Sequence, residues 1–155
     1  MYVQVAVAGT LNFKSTAGCT FELDLVGADP LTTWFTDRPA RDAGRVTNSQ
    51  FFGFIGDTEK NPVNAALISV RDGKETVAPV ELWGGKASSG KLSYSGRWLQ
   101  TGAAHAFNTS KTSSHTTCKQ RGSTKSSKLK QVQLFIDGPC MIFLLNGACM
   151  EYIMR

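Results

Sequence analysis

The sequence predicts an all-β domain, an antiparallel β-sandwich of about six strands with one short helix. Three observations lead to this prediction. Apolar and polar residues alternate with the period of two that is typical of a half-buried strand. Clusters of Gly, Asp, Asn and Pro separate the alternating runs, and one stretch has the pattern of a helix start. With 41% apolar and 19% charged residues, the 155-residue chain is typical of one globular domain with an appendage.

The first strands follow from alternation near the amino terminus. Over residues 3–7, valines alternate with Gln4 and Ala6, so that the valines share one face of a strand. A second run, residues 21–25, alternates apolar with acidic residues. Gly, Asp and Pro in residues 27–30 then favour a turn before a short β-branched and aromatic strand.

The helix start is predicted at Thr47. Thr47 and Gln50 have the spacing of a capping box, in which each side chain accepts the backbone N–H of the other residue. Gly53, Gly56 and Pro62 limit this helix to about two turns.

The remaining strands are predicted by a hairpin signal. Ala66, Ile68 and Val70 share one face of a strand, and the Asp-Gly pair that follows favours a two-residue turn because both residues tolerate positive φ. The returning strand contains Pro79, which has no N–H for a ladder and therefore indicates an edge strand or a bulge. Residues 92–98 alternate as a last strand.

Residues 2–99 contain a series of short motifs, namely Phe35-Thr36-Asp37-Arg38-Pro39, Gly44-Arg45-Val46-Thr47, Asn61-Pro62-Val63-Asn64-Ala65-Ala66-Leu67, Val80-Glu81-Leu82 and Leu92-Ser93-Tyr94. In order and spacing these motifs resemble an uncharacterised family of small, mostly bacterial β-rich domains. Val63 departs from that pattern, which tends to repeat the proline there. The family has no established activity, so the resemblance implies an architecture and leaves the function open. It also hints at export, although the chain shows no signal-peptide pattern.

Charge divides the chain. The net charge of +5 lies in the last third, because residues 1–102 hold ten basic and ten acidic residues, whereas residues 103–155 hold seven basic and two acidic ones. We therefore predict a β-sandwich domain over 1–101, a basic Ser/Thr-rich flexible arm over 102–131 and an apolar C-terminal segment over 132–155 whose order stays open. The longest apolar run in that segment is far shorter than the ~20 residues of a transmembrane helix.

The candidate ligand-binding residues are Asp37, Arg38, Arg41 and Trp83. Two arginines on one loop offer forked donors for a carboxylate, a phosphate or a sugar acid. Trp83 precedes two glycines and is the one tryptophan predicted as an exposed contact. The alternative is structural, with the arginines pairing neighbouring acids to hold the loop.

The leading hypothesis for function is a non-enzymatic binding or structural domain with an unknown ligand or protein partner. No histidine precedes His105, and a Gly-rich loop at residues 85–91 lacks the hydroxyl of a phosphate-binding motif, so no cofactor or metal is predicted. The alternative is nucleic-acid or anionic-surface binding through the arm, by Lys119, Arg121, Lys125, Lys128 and Lys130. A third is a hydrolase with carboxylates near Asp37 and Asp57.

The four cysteines do not form a metal motif, because none stands in a C-x-x-C pair. A disulfide between Cys140 and Cys149 and free buried thiols are both compatible with their spacing.

Overall fold

The computed structural model describes residues 1–15, 19–36, 41–55, 59–99, 126–138, 141–143 and 149–151. These residues form ten strands and one helix. In chain order the elements are β1 (Tyr2–Ser15), β2 (Thr20–Ala28), β3 (Leu31–Phe35), β4 (Ala43–Thr47), α1 (Asn48–Phe54), β5 (Val63–Arg71), β6 (Lys74–Ser88), β7 (Lys91–Trp98), β8 (Ser126–Asp137), β9 (Met141–Phe143) and β10 (Cys149–Glu151).

Six of the strands close into a barrel. Going round the wall, β1 pairs with β2, β2 with β7, β7 with β6, β6 with β5, β5 with β8 and β8 with β1, and every pair is antiparallel. The all-β prediction is therefore confirmed, but the predicted sandwich is wrong. Alternation with a period of two is the same in a sandwich and in a barrel, so the sequence pattern does not distinguish them.

Strand β1 also carries a branch outside the barrel. Its first residues, Tyr2 and Val3, pair with Trp34 and Thr33 of β3, and β4 pairs with the far side of β3. Strand β2 pairs with β1 only from Ala6 onward. On the same edge of β1, before Ala6, the pairing partner is β3.

Helix α1 has the predicted capping box and packs on the core. The Gln50 amide donates to the Thr47 hydroxyl at 3.2 Å, and the Thr47 amide donates to the Gln50 side chain at 3.0 Å. Phe51 is fully buried with its ring 5.0 Å from that of Tyr2, and the Phe52 ring lies 5.4 Å from Tyr94. The helix therefore brings aromatic side chains to the barrel core.

The barrel is filled by alternate side chains of its six strands. The largest fully buried side chains are Tyr94, Phe21, Phe51, Leu23, Leu25, Leu82, Leu134, Ile136, Val80, Val132 and Thr32. Gly96 gives Phe21 its space, since a Cβ there would lie 2.7 Å from the Phe21 ring. The interior is thus a packed core.

The β5–β6 hairpin confirms the predicted Asp-Gly turn and corrects the predicted position of the strand that follows it. Asp72 and Gly73 have φ of 51° and 74°, the positive values that the two-residue turn requires. Strand β6 lies between β5 and β7, so the predicted edge strand is wrong. Pro79 is tolerated because, among the described residues, the ladder between β6 and β7 begins one residue later, at the pair of Val80 with Trp98.

Strand β8 corrects the predicted domain boundary at residue 101. It lies in the barrel wall between β1 and β5, so residues 126–131 of the predicted arm and 132–137 of the predicted C-terminal segment belong to the folded domain. The composition of residues 126–130 concealed this strand, because only Ser127 and Leu129 point inward while the other three residues stay exposed. Residues 102–125 lie outside the described part of the chain.

Beyond the barrel, β9 and β10 form a separate two-stranded antiparallel sheet. The sequence suggests a three-stranded meander over the last segment, but β8 pairs with β1 and β5 instead. In the described ranges, no helix has the length and apolar character needed to cross a membrane.

Candidate binding surface

The structure covers part of the predicted loop site. Asp37 and Arg38 lie outside the described residues, whereas Arg41 is described and exposed. The loop is closed at its base, where the Thr36 amide donates to the Asp42 carbonyl at 2.9 Å and the Asp42 amide to the Thr36 hydroxyl at 3.1 Å. The loop site stays a prediction.

Trp83 is half-buried on the outside of β6. The guanidinium of Arg97, on the neighbouring strand β7, lies 5.7 Å from the centre of the Trp83 ring, and Arg97 also forms an ion pair with Glu81. Arg97 therefore occupies space above the ring that a ligand would need. Trp83 lies on β6 and Arg41 precedes β4, and these two strands do not pair.

The predicted polyanion site is likewise divided. Lys119, Arg121 and Lys125 lie outside the described residues. Lys128 and Lys130 are exposed on the outward face of β8, where they pair in register with Thr10 and Ala8 of β1. They belong to a strand and not to a flexible arm.

A chain of buried polar side chains runs from β7 into the branch. The Tyr94 hydroxyl donates to the Gln4 side-chain oxygen, the Gln4 amide donates to the Thr32 hydroxyl at 2.8 Å, and that hydroxyl donates to Asn48 at 2.7 Å. The Asn48 amide completes the chain by donating to the backbone carbonyl of Asp29 at 2.8 Å. Gln4, the centre of this chain, is 2% exposed.

The buried series of hydrogen bonds has a structural role. Burial raises the pKa of Tyr94, so the hydroxyl stays protonated and serves as a donor, not as a base. Each side chain in this series is hydrogen-bonded to another protein group. The series therefore connects β7, β1, β3 and α1.

The opposite face of β1 is apolar and points outward. Val3, Phe135, Ala66 and Pro79 form one cross-strand row over β1, β8, β5 and β6. The next row consists of Val5, Gln133, Ile68 and Val77. We call these eight side chains, together with Val7, the valine face.

The valine face is free of charge and partly exposed, because Val5, Val7, Val77 and Gln133 are exposed and its other five side chains are half-buried. Val5, Val7 and Val77 are 43%, 72% and 61% exposed, and Gln133 is the one polar residue in the two rows. Single exposed apolar residues are ordinary on protein surfaces, but a contiguous apolar patch across four strands is typical of an interaction site.

Polar residues border the valine face at both strand ends. One end has the row Glu81, Asn64 and Asp137, and the other has Lys130 and Glu75 on either side of Val70. On strand β8 the face therefore runs from a negative residue, Asp137, to a positive one, Lys130. An apolar centre with a polar rim is the usual arrangement of a protein–protein interface.

Comparison with protein-family models, curated proteins and solved structures found no match. The family resemblance therefore stays a prediction. Within the described ranges, no three His, Cys, Asp or Glu side chains come together as a metal site requires. Cys19 is buried and disulfide-bonded, whereas Cys140 lies outside the described residues, so the choice between a Cys140–Cys149 disulfide and free thiols is not tested.

Sequence reasoning missed the valine face because alternation alone does not say which face of a strand is inward. The local pattern in β1 was misleading, because Gln4 stands between valines and a single polar residue there suggests an outward position, whereas Gln4 is buried. The hydroxyl and amide partners that allow Gln4 to be buried come from Tyr94 and Thr32, which are far away in the sequence.

Proposed function

We propose that this chain is a non-enzymatic binding domain that docks a protein partner on the valine face. The observation that carries the proposal is the continuity of two apolar cross-strand rows over four strands of a closed barrel. A barrel that already has a packed interior does not need outward valines to form its core, whereas an interface core is built from such residues.

The experiment uses the fluorescence of the uncharged apolar dye Nile red with the full chain. We expect the dye to bind the dilute native protein, and Val5→Lys and Val77→Lys to reduce its fluorescence about fivefold, since each places a charge on the apolar patch. The melting temperature should change little, because both side chains are exposed.

Val26→Lys is the matched control. Val26 is a strand valine with the same 43% exposure as Val5, but it lies on β2 in register with Lys91, outside the valine face. Its dye binding should equal that of the unchanged chain. Equal dye binding by Val5→Lys and Val26→Lys would contradict the proposed function.

A further inference from the structure

We infer that Cys19 forms its disulfide bond with Cys118, and that this bond ties the connection between β7 and β8 to one end of the barrel. Cys19 is 9% exposed and disulfide-bonded. The sequence offers three partners for it, namely Cys118, Cys140 and Cys149. The inference is independent of the valine face, because its evidence is where the strands begin and end.

Cys19 lies at the end of the barrel where β7 ends and β8 begins. Its carbonyl accepts a hydrogen bond of 3.2 Å from the amide of Trp98, the last residue of β7. Cys19 directly precedes β2, whose first residue pairs with the last residue of β1. Ser126, the first residue of β8, pairs with Asn12 near that same end of β1. The chain therefore leaves the barrel wall beside Cys19 and enters it again close by.

Cys118 belongs to the connection that joins these two points. It precedes Ser126 by eight residues, which span about 26 Å when extended. From Ser126, Cys19 lies two strands across and four residues along the wall, on the order of 15 Å away. The length of chain between Cys118 and β8 is therefore enough to bring the two thiols together.

The other two cysteines follow the opposite end of β8. This strand has 12 residues and ends at Asp137, about 35 Å from its first residue. The chain is still at that end at Gly138, since a Cβ there would lie 2.8 Å from the ring of Tyr2, at the start of β1. Cys140 comes three residues after Asp137 and reaches about 10 Å from it, which is too short to approach Cys19.

Cys149 also falls short of Cys19. It pairs with Phe143 in the β9–β10 sheet, and Phe143 comes six residues after Asp137. An extended chain of that length and one paired residue together reach about 25 Å from the end of β8. This is less than the length of β8, and Cys19 lies beyond the first residue of that strand. Cys118 is therefore the partner that the positions of the strands permit.

Formation of this bond is a two-electron oxidation. The Cys19 and Cys118 thiols lose two protons and two electrons as the S–S bond forms, and an oxidant of the disulfide class, such as glutathione disulfide, takes them up and becomes two thiols. The bond persists in an oxidising compartment and is reduced in a reducing one. It closes a loop of about 100 residues, and long loops restrict the unfolded chain most.

The experiment is peptide mapping of the full chain, oxidised in a glutathione buffer and then alkylated at its free thiols. Trypsin places Cys19 in the peptide 15–41, Cys118 in 112–119 and both remaining cysteines in 131–155. We expect mass spectrometry without reductant to find 15–41 linked to 112–119. A peptide 15–41 that is linked to 131–155, or that carries no link, would overturn the inference.

A thermal unfolding measurement tests the same pairing through stability. The starting chain carries Cys140→Ser and Cys149→Ser, so that only Cys19 and Cys118 remain. A thiol reductant should lower its melting temperature by about 10 °C, because the loop closed by the bond opens. Adding Cys118→Ser should lower the melting temperature by the same amount and abolish the response to reductant. A starting chain whose melting temperature does not respond to reductant would contradict the pairing.

Discussion

The polar chain around Gln4 and the valine face lie on opposite sides of the same strand, β1, and they use opposite chemistry. Inside, a glutamine is buried and fully engaged by Tyr94 and Thr32; outside, three valines face water. A buried polar group without partners is costly, so the inner arrangement persists because its partners are all present. The outer arrangement has no such partners within the described residues, and this difference is what supports the proposed docking of a partner on the outer face.

The largest expected effect comes from breaking the inner side. Gln4→Leu leaves the Tyr94 hydroxyl buried without its acceptor, which costs about 1–3 kcal/mol. The Thr32 hydroxyl loses the bond from Gln4 but still donates to Asn48. We expect the free energy of unfolding in urea to fall accordingly.

Adding Tyr94→Phe to Gln4→Leu is the control. The double variant removes the unsatisfied Tyr94 hydroxyl and should recover part of the loss. A Gln4→Leu chain as stable as the unchanged one would show that the inner chain does not stabilise the barrel.

Alkaline pH should test the contribution of the inner side of β1 to stability, through the ionisation of Tyr94. Its pKa is raised in the folded state by burial, so its contribution to stability is complete below about pH 10 and is lost as the pH rises toward the folded-state pKa. We expect this group to lower the free energy of unfolding by up to about 1.4 kcal/mol per pH unit above about pH 10. Urea titrations of the unchanged chain and of Tyr94→Phe should diverge in slope there, and parallel profiles would contradict this account.

A smaller effect is expected at the helix that ends the polar chain. Thr47→Ala removes the capping hydroxyl of α1, which should cost about 1 kcal/mol. Thr47→Ser keeps the hydroxyl and serves as the control in the same thermal unfolding measurement. Equal losses for Ala and Ser would mean that the cap does not hold α1 against the core.

The smallest effect is expected on the outer side. Val5→Thr should change the free energy of unfolding by less than about 0.5 kcal/mol, because the added hydroxyl faces water. Val132→Thr makes the same change at a position only 1% exposed, and it should cost about 1–3 kcal/mol. A similar loss in the free energy of unfolding for both variants would contradict the assignment of Val5 to the outer side and Val132 to the inner side of the barrel wall.

Local signals in the sequence were reliable where neighbouring residues decide the structure. The capping box at Thr47 and the turn at Asp72 and Gly73 form as predicted, because their hydrogen bonds and φ values depend on adjacent residues. The inward alternation of residues 21–25 is also confirmed.

Features that depend on distant partners were not predictable. The outward valines of β1 and the burial of Gln4 depend on Tyr94, ninety positions away. Barrel closure depends on β8, where lysines and serines concealed a strand that β1 and β5 complete from both sides. The phase of β8 also changes at Gln131, whose φ of 50° an alternation rule does not anticipate.

The position of β8 in the wall has a consequence for synthesis. Strands β1 and β5 leave the ribosome well before residues 126–137, and at ordinary translation rates β1 precedes β8 by on the order of ten seconds. Until β8 is made, the edges of β1 and β5 that it pairs in the folded domain are open. The nascent chain therefore passes through an open sheet, and this is the stage at which chaperones or neighbouring chains compete for its edges.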